Sequence, residues 1–381
     1  MNDPRPFCVR PAASRRAGSL LLGVILTACA TAGTTSGGDV SGQAPASSGT
    51  VTSDARWPTS TREHVDLWLH GYALLTADTA RVPFFRRGYR QRMKDLKSQR
   101  NVYTQLDANF AALSARFTAN PALVNGQFVP LYFSSFQQIQ QVVGAFLQAG
   151  GDPRAAPDAM SQALFGILNG SFPEAADKDW LRLFVQSLSD ESNRFYHDYW
   201  TAEQTARAAT RQAVDQLWQQ TYRPRLQRFL NNTQQENGEF MLSLPLDGEG
   251  RTVTFSKQQN SVSVTFPDSP DRAIEAVYVF AHEVVNALTA AAVNDNISPA
   301  EQRSGVTARY LANGNVRAGA ILLQRISSAD VAHDYMRFYL RSAGIAAPAG
   351  DPTSAFAAAF SLPDAVVQAI TRQLDVVLGG I

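Results

Sequence analysis

The chain has 381 residues, 45% of them hydrophobic and 18% charged, with 34 basic against 33 acidic side chains. That is enough apolar material for one large folded body or two packed subdomains, and it leaves no basic footprint for nucleic acid. Two cysteines in all exclude a disulfide framework and a thiolate-rich metal site.

In chain order, Arg5, Arg10, Arg15 and Arg16 precede an apolar stretch, Ala17 to Ala28, that is too short to cross a bilayer comfortably. The stretch ends in Leu26-Thr27-Ala28-Cys29, which resembles the lipobox of bacterial lipoproteins. The resemblance implies a signal peptide over residues 1–28, cleavage before Cys29 and a lipid on its thiol. The protein would then sit in the bacterial cell envelope, with the membrane as a partner. Ala30 is not the Asp that retains many such proteins at the inner membrane, which favours the outer membrane, facing the periplasm. With Cys8 removed and Cys29 lipidated, no thiol remains for catalysis, so a metal site must draw on His, Asp, Glu or Asn. Loss of residues 1–28 takes four arginines and one aspartate, and turns the net charge slightly negative.

Residues 29–56, rich in Gly, Ser, Thr and Ala, cannot bury enough surface to offset their ordering entropy. They read as a lipid-anchored flexible tether with a root-mean-square reach of about 30 Å. A helical N-terminal subdomain is expected over 57–238. Ser60-Thr61-Arg62-Glu63 reads as a helix start, followed by Val65, Leu67, Trp68, Tyr72 and Leu75 at helical spacing. Further helices are expected near 82–99, 104–118, 129–149, 156–168, 176–198 and 202–230.

The second part, 239–381, opens on Phe240 to Leu246 and Thr252 to Phe255 flanking the turn Asp247-Gly248-Glu249-Gly250, and then on alternating Val262, Val264 and Phe266. This pattern predicts two or three antiparallel strands. Ser269-Pro270 starts a helix that should run to about Val293, with others near 298–313, 316–326, 328–344 and 363–377. Asn313-Gly314-Asn315 reads as a turn. The fold class is mainly α with a small antiparallel sheet.

One constellation carries chemistry. Within an otherwise apolar helix stand His282, Glu283 and Asn286, the first and last at i, i+4 on one face. A buried carboxylate such as Glu283 must meet a metal, an arginine or a substrate. The segment resembles the His-Glu-x-x-His motif of zincin metallopeptidases, with Asn286 in place of the second histidine. The likeness covers residues 239–345 and is of the gluzincin kind, in which a Glu on the next helix completes the zinc site. It implies a zincin-like subdomain with zinc as cofactor, His282, Asn286 and Glu301 as metal ligands, and Glu283 as general base. His333 and Tyr335 would be the groups that stabilise an oxyanion. An amide oxygen is a weak zinc ligand, so the motif points to a pseudopeptidase whose hydrolysis is impaired or lost.

Two alternatives stay open: an active zinc hydrolase with altered ligands, and a non-enzymatic periplasm-facing lipoprotein that binds protein, peptide or glycan partners. Arg303 and Arg309 are candidate partners for Glu283 or Glu301. His64 and His70 point apart on their helix, and His197 is expected in an aromatic cluster with Tyr196, Tyr199 and Trp200.

Overall fold

The computed structural model describes residues 56–76 and 80–379. Cys29, the signal segment and the expected tether up to residue 55 lie outside them. The described residues belong to one compact unit, mainly helical with a small sheet, as the sequence pattern predicts. Among them no single helix is long and apolar enough to cross a membrane.

Trp57 is fully buried at a φ of 55°. Left-handed backbone costs a non-glycine residue about 1 kcal/mol or more. Three hydrogen bonds hold it there. Its N–H donates to Asn237 Oδ1 at 2.8 Å, and its carbonyl accepts from Trp218 Nε1 at 2.9 Å and Gln219 Nε2 at 3.0 Å. β1 (Thr59–Ser60) and α1 (Glu63–Leu75) follow. Ser60 is therefore a strand residue, and the start of α1 is favoured by Glu63 and Asp66 in its first turn.

A helical layer comes next: α2 (Tyr89–Gln99), α3 (Gln105–Ala108), α4 (Phe110–Ala119), α5 (Phe136–Gln148), α6 (Ala159–Ser171) and α7 (Ala175–Glu191). The helix expected from residue 129 starts later, because Pro130 lies in a 3-10 segment, Pro121–Tyr132, and Ser135 caps α5. The two long helices expected over 176–198 and 202–230 are each interrupted by a π turn. Ser192–Tyr196 joins α7 to α8 (His197–Ala206), and Trp218–Tyr222 joins α9 (Ala208–Leu217) to α10 (Arg223–Asn232). Each extra residue turns two aromatics inward: Phe195 and Tyr196 in one, Trp218 and Tyr222 in the other.

The sheet corrects the expected antiparallel arrangement. Its strands are β1, β2 (Glu239–Ser243), β3 (Arg251–Ser256) and β4 (Gln259–Thr265), in the order β1-β2-β4-β3. Only β3 and β4 run antiparallel; β1 with β2 and β2 with β4 are parallel, with Phe240 opposite Val262 and Leu242 opposite Val264. The reason is burial. β4 carries Val and Ser buried on both faces and takes the centre, whereas the polar β3 stays largely exposed at the edge. The tight turn is therefore at Lys257-Gln258. Asp247 to Gly250 is not a hairpin turn but part of a long excursion between β2 and β3.

After β4 a 3-10 turn, Pro270–Arg272, leads into α11 (Ile274–Val284) and α12 (Asn286–Asn296). The rest is α13 (Pro299–Arg303), α14 (Thr307–Ile326), α15 (Ala329–Ser342), α16 (Thr353–Ala359) and α17 (Asp364–Val377). The turn expected at Asn313-Gly314-Asn315 lies inside α14. Gly314 serves close packing there, since a Cβ on it would lie 2.4 Å from Thr289 Cγ2 of α12. The segments 57–238 and 239–381 share both the sheet and an aromatic cluster of Trp57, Trp218, Phe240 and Phe280, with ring centroids 4.4–5.2 Å apart.

Candidate functional site

α11 carries the His-Glu pair. It is buried along its length from Glu275 to Val284, against β4 on one side and α14 and α15 on others. The expected helix to Val293 does not run straight: α11 and α12 meet at Val285 with a bend of 44°. Neither proline nor glycine marks the break. The Val284 carbonyl is instead taken by the buried Gln235 side chain, whose Nε2 donates to it at 3.1 Å. A side chain engaging the helical ladder is a recognised cause of such a bend.

The bend changes what Asn286 does. Its Nδ2 donates to Glu283 Oε2 at 3.2 Å, and its Oδ1 is buried with no hydrogen-bond partner. Glu283 Oε1 accepts from the Gly250 N–H at 3.2 Å and faces His282 Nδ1 at 3.0 Å. Three donors thus surround one carboxylate that is 3% exposed. Burial pushes the Glu283 carboxyl up, but the bond and charge of His282 outweigh this and hold it below the ordinary glutamate value. Burial pulls the His282 imidazole down, yet the charge of Glu249 and the bond to Glu283 outweigh that and raise it above its ordinary value.

Glu249 is the residue that sequence reasoning missed. Its Oε1 lies 3.8 Å from His282 Nε2, and Glu249, His282 and Glu283 bring one ligand atom each within 4.8 Å of one another. The excursion between β2 and β3 puts it there. Glu249 N–H donates to the Pro83 carbonyl at 3.1 Å and Asp247 N–H to Phe84 at 2.8 Å, while Tyr339 Oη donates to the Gly248 carbonyl at 3.0 Å. The Tyr339 ring also stacks on His282, with centroids 5.4 Å apart and planes 25° apart. Gly250 lets the backbone close over Glu283: a Cβ would lie 2.3 Å from the Ser263 carbonyl oxygen and 2.9 Å from Glu283 Cγ. That glycine, two residues after another, was the one local signal of a close approach.

The other expected site residues are not brought to this group. Glu301 caps α13, where its Oε2 accepts from Ser298 N–H and Oγ at 2.8 Å each in a capping box. Tyr335 is buried beside Tyr339, but its hydroxyl donates to the Val316 carbonyl at 3.0 Å. His333 is partly exposed and faces Asp351 at 3.6 Å. Neither offers a donor to an oxyanion at Glu283. Arg303 and Arg309 meet neither glutamate; the positive charge acting on Glu283 besides His282 is Arg251, whose guanidinium lies over Phe84 and Phe128. Zinc held in the gluzincin manner does not fit. Of its three expected donors, Glu301 is held in the capping box of α13, and Asn286 turns its amide nitrogen to Glu283.

The remaining histidines are structural. His64 Nε2 bonds the Phe133 carbonyl at 2.9 Å, and His70 lies between Tyr89 Oη and Glu191 Oε1 at 3.0 Å each. His197 is mostly exposed and pairs with Glu63 at 2.9 Å, outside the aromatic cluster expected for it; Phe195, Tyr196 and Tyr199 form that cluster. Comparison of the chain with known protein families, curated proteins and solved structures gives no match.

Proposed function

We propose that this chain is a cell-envelope lipoprotein, held at the membrane by lipid on Cys29, whose metallopeptidase-like segment has lost hydrolysis and whose folded body works by binding a partner. The observation that carries the reading is the state of Glu283. A general base needs a free carboxylate oxygen within reach of a water and an electrophile. Glu283 is enclosed by His282, Gly250 and Asn286, and Asp247 to Gly250 cover it.

A binding role is supported by a cleft of about 430 Å³ beside that covering segment, lined by Arg86, Arg87, Arg92, Arg272 and Arg341. Asp247, Asp268 and Glu275 line it too; Asp268 and Glu275 pair with Arg86 and Arg272, and Glu275 also faces Arg341 at 3.8 Å. Arg87 donates to the carbonyls of Arg81 and Ser342, and Arg92 lies over the Tyr89 ring. Such guanidinium groups suit the carboxylates of an acidic peptide or glycan.

The test is a peptide-library hydrolysis assay on the zinc-loaded full chain, run beside Glu283→Gln. The reading expects equal background rates. Zinc-dependent turnover that disappears in Glu283→Gln would overturn it and favour the active hydrolase.

A further inference from the structure

His282 Nε2 is buried with no hydrogen-bond partner, in a ring that is itself fully buried. An orphaned nitrogen of this kind is costly unless something meets it. Its surroundings are directional. Glu283 receives Nδ1, which places the ring proton there in the neutral imidazole and turns the Nε2 lone pair towards Glu249. The ring cannot easily turn away, because it is stacked on Tyr339.

We propose that His282 Nε2 and the Glu249 carboxylate form a site for a divalent transition-metal ion of the zinc type, with Glu283 as the positioning residue behind the imidazole. The separation fits. With bonds of about 2.1 Å to nitrogen and oxygen, donors 3.8 Å apart subtend about 130° at the ion. A tetrahedral angle asks for about 3.4 Å, a movement of a few tenths of an ångström in a side chain that is 16% exposed. Carboxylate, histidine and metal in line is the usual way a ligating imidazole is oriented and made more basic. Water fills the remaining positions, and the partly exposed Glu249 gives the ion its entry.

This donor set differs from the one the zincin resemblance implies. It joins the covering segment to α11, so the ion acts as a clip and assigns no hydrolytic role to Glu283. The inference holds whether or not the protein binds an acidic partner.

The experiment is equilibrium dialysis of the tag-free full chain, stripped with chelator, against zinc at pH 8, followed by elemental analysis and thermal melting. One zinc per chain is expected, with a rise in Tm of about 3 °C or more at a hundredfold excess over Kd. Glu249→Gln, at a partly exposed position, should keep the fold by circular dichroism and lose the ion. Glu283→Gln, whose amide oxygen still accepts from Nδ1, should weaken zinc about 10- to 100-fold without abolishing it. Cobalt substituted for zinc should give visible d–d bands in the wild-type chain and none in Glu249→Gln. A folded wild-type chain that retains no zinc at excess, or a Glu249→Gln chain that retains as much as wild type, overturns the proposal. The wild-type result decides even if the variant fails to fold.

Discussion

The Gln235 side chain donates to the Val284 carbonyl at 3.1 Å, at the point where the motif helix breaks. Gln235 comes from the chain just before β2, and it satisfies an acceptor that a straight helix would have used internally. Gln235→Ala leaves that carbonyl buried and unpaired. A loss of about 1–3 kcal/mol is expected, read as a lower urea midpoint at unchanged slope. An unchanged midpoint would show that the break holds itself.

Placing a histidine at position 286 is not expected to create an enzyme. Asn286→His removes the amide that donates to Glu283 Oε2, and the bend at Val285 keeps position 286 from pairing with His282 across one face. The expected result is no zinc-dependent peptide hydrolysis and a stability loss of about 1–2 kcal/mol. Measurable turnover in this variant would mean that the helix straightens around zinc.

Two buried groups on α1 should oppose each other in acid titration. Burial pushes Asp66 up to about 7, against bonds from Ser243, Trp200 and the Leu244 N–H. Its contribution to stability is complete below the unfolded value near 4 and is lost as pH rises through about 7. Burial pulls His64 down to about 4, so its contribution is complete above 6.5 and is lost as pH falls through about 4. Each amounts to about 3–4 kcal/mol at most, and between pH 4 and 6.5 the two slopes offset. Asp66→Asn should therefore make stability rise with pH across that window, and His64→Gln should make it fall. Denaturant melts at pH 4.5, 5.5 and 6.5 measure both; slopes unchanged from wild type would contradict the assignment.

The arginine cleft predicts salt-sensitive binding of an acidic peptide. Arg87→Glu, at a side chain that carries no ion pair among the described residues, should weaken a polyglutamate probe about tenfold in low salt and flatten the salt dependence. Fluorescence anisotropy at two ionic strengths measures this. Equal affinity in the variant would remove the cleft from consideration.

Much of the fold was legible in the sequence because it rests on periodicity. The spacing of Val65, Leu67, Trp68 and Tyr72 predicts α1, and the all-apolar run around Val277 and Phe280 predicts a buried α11. What escaped was non-local. Phe240–Leu246 and Thr252–Phe255 look like two arms of a hairpin, and nothing near them says that β4 inserts between. That insertion frees residues 244–250 to reach His282, so Glu249 could not be found from its neighbours. The break at Val285 has no proline or glycine to announce it; the side chain that engages its ladder, Gln235, lies 49 residues before Val284. Gly314 shows the converse, a turn signal overridden because Thr289 needs the space a side chain would fill.

Trp57 has a mechanical consequence. If the chain before it is tethered to a membrane, tension arrives at a ring wedged beside Phe280, with its carbonyl held by Trp218 and Gln219. The load passes into the aromatic cluster and the central sheet, not into a surface helix that could peel away. The first event under force would be extraction of one indole, and the body should resist a pull from its N-terminal end far better than one applied at α17.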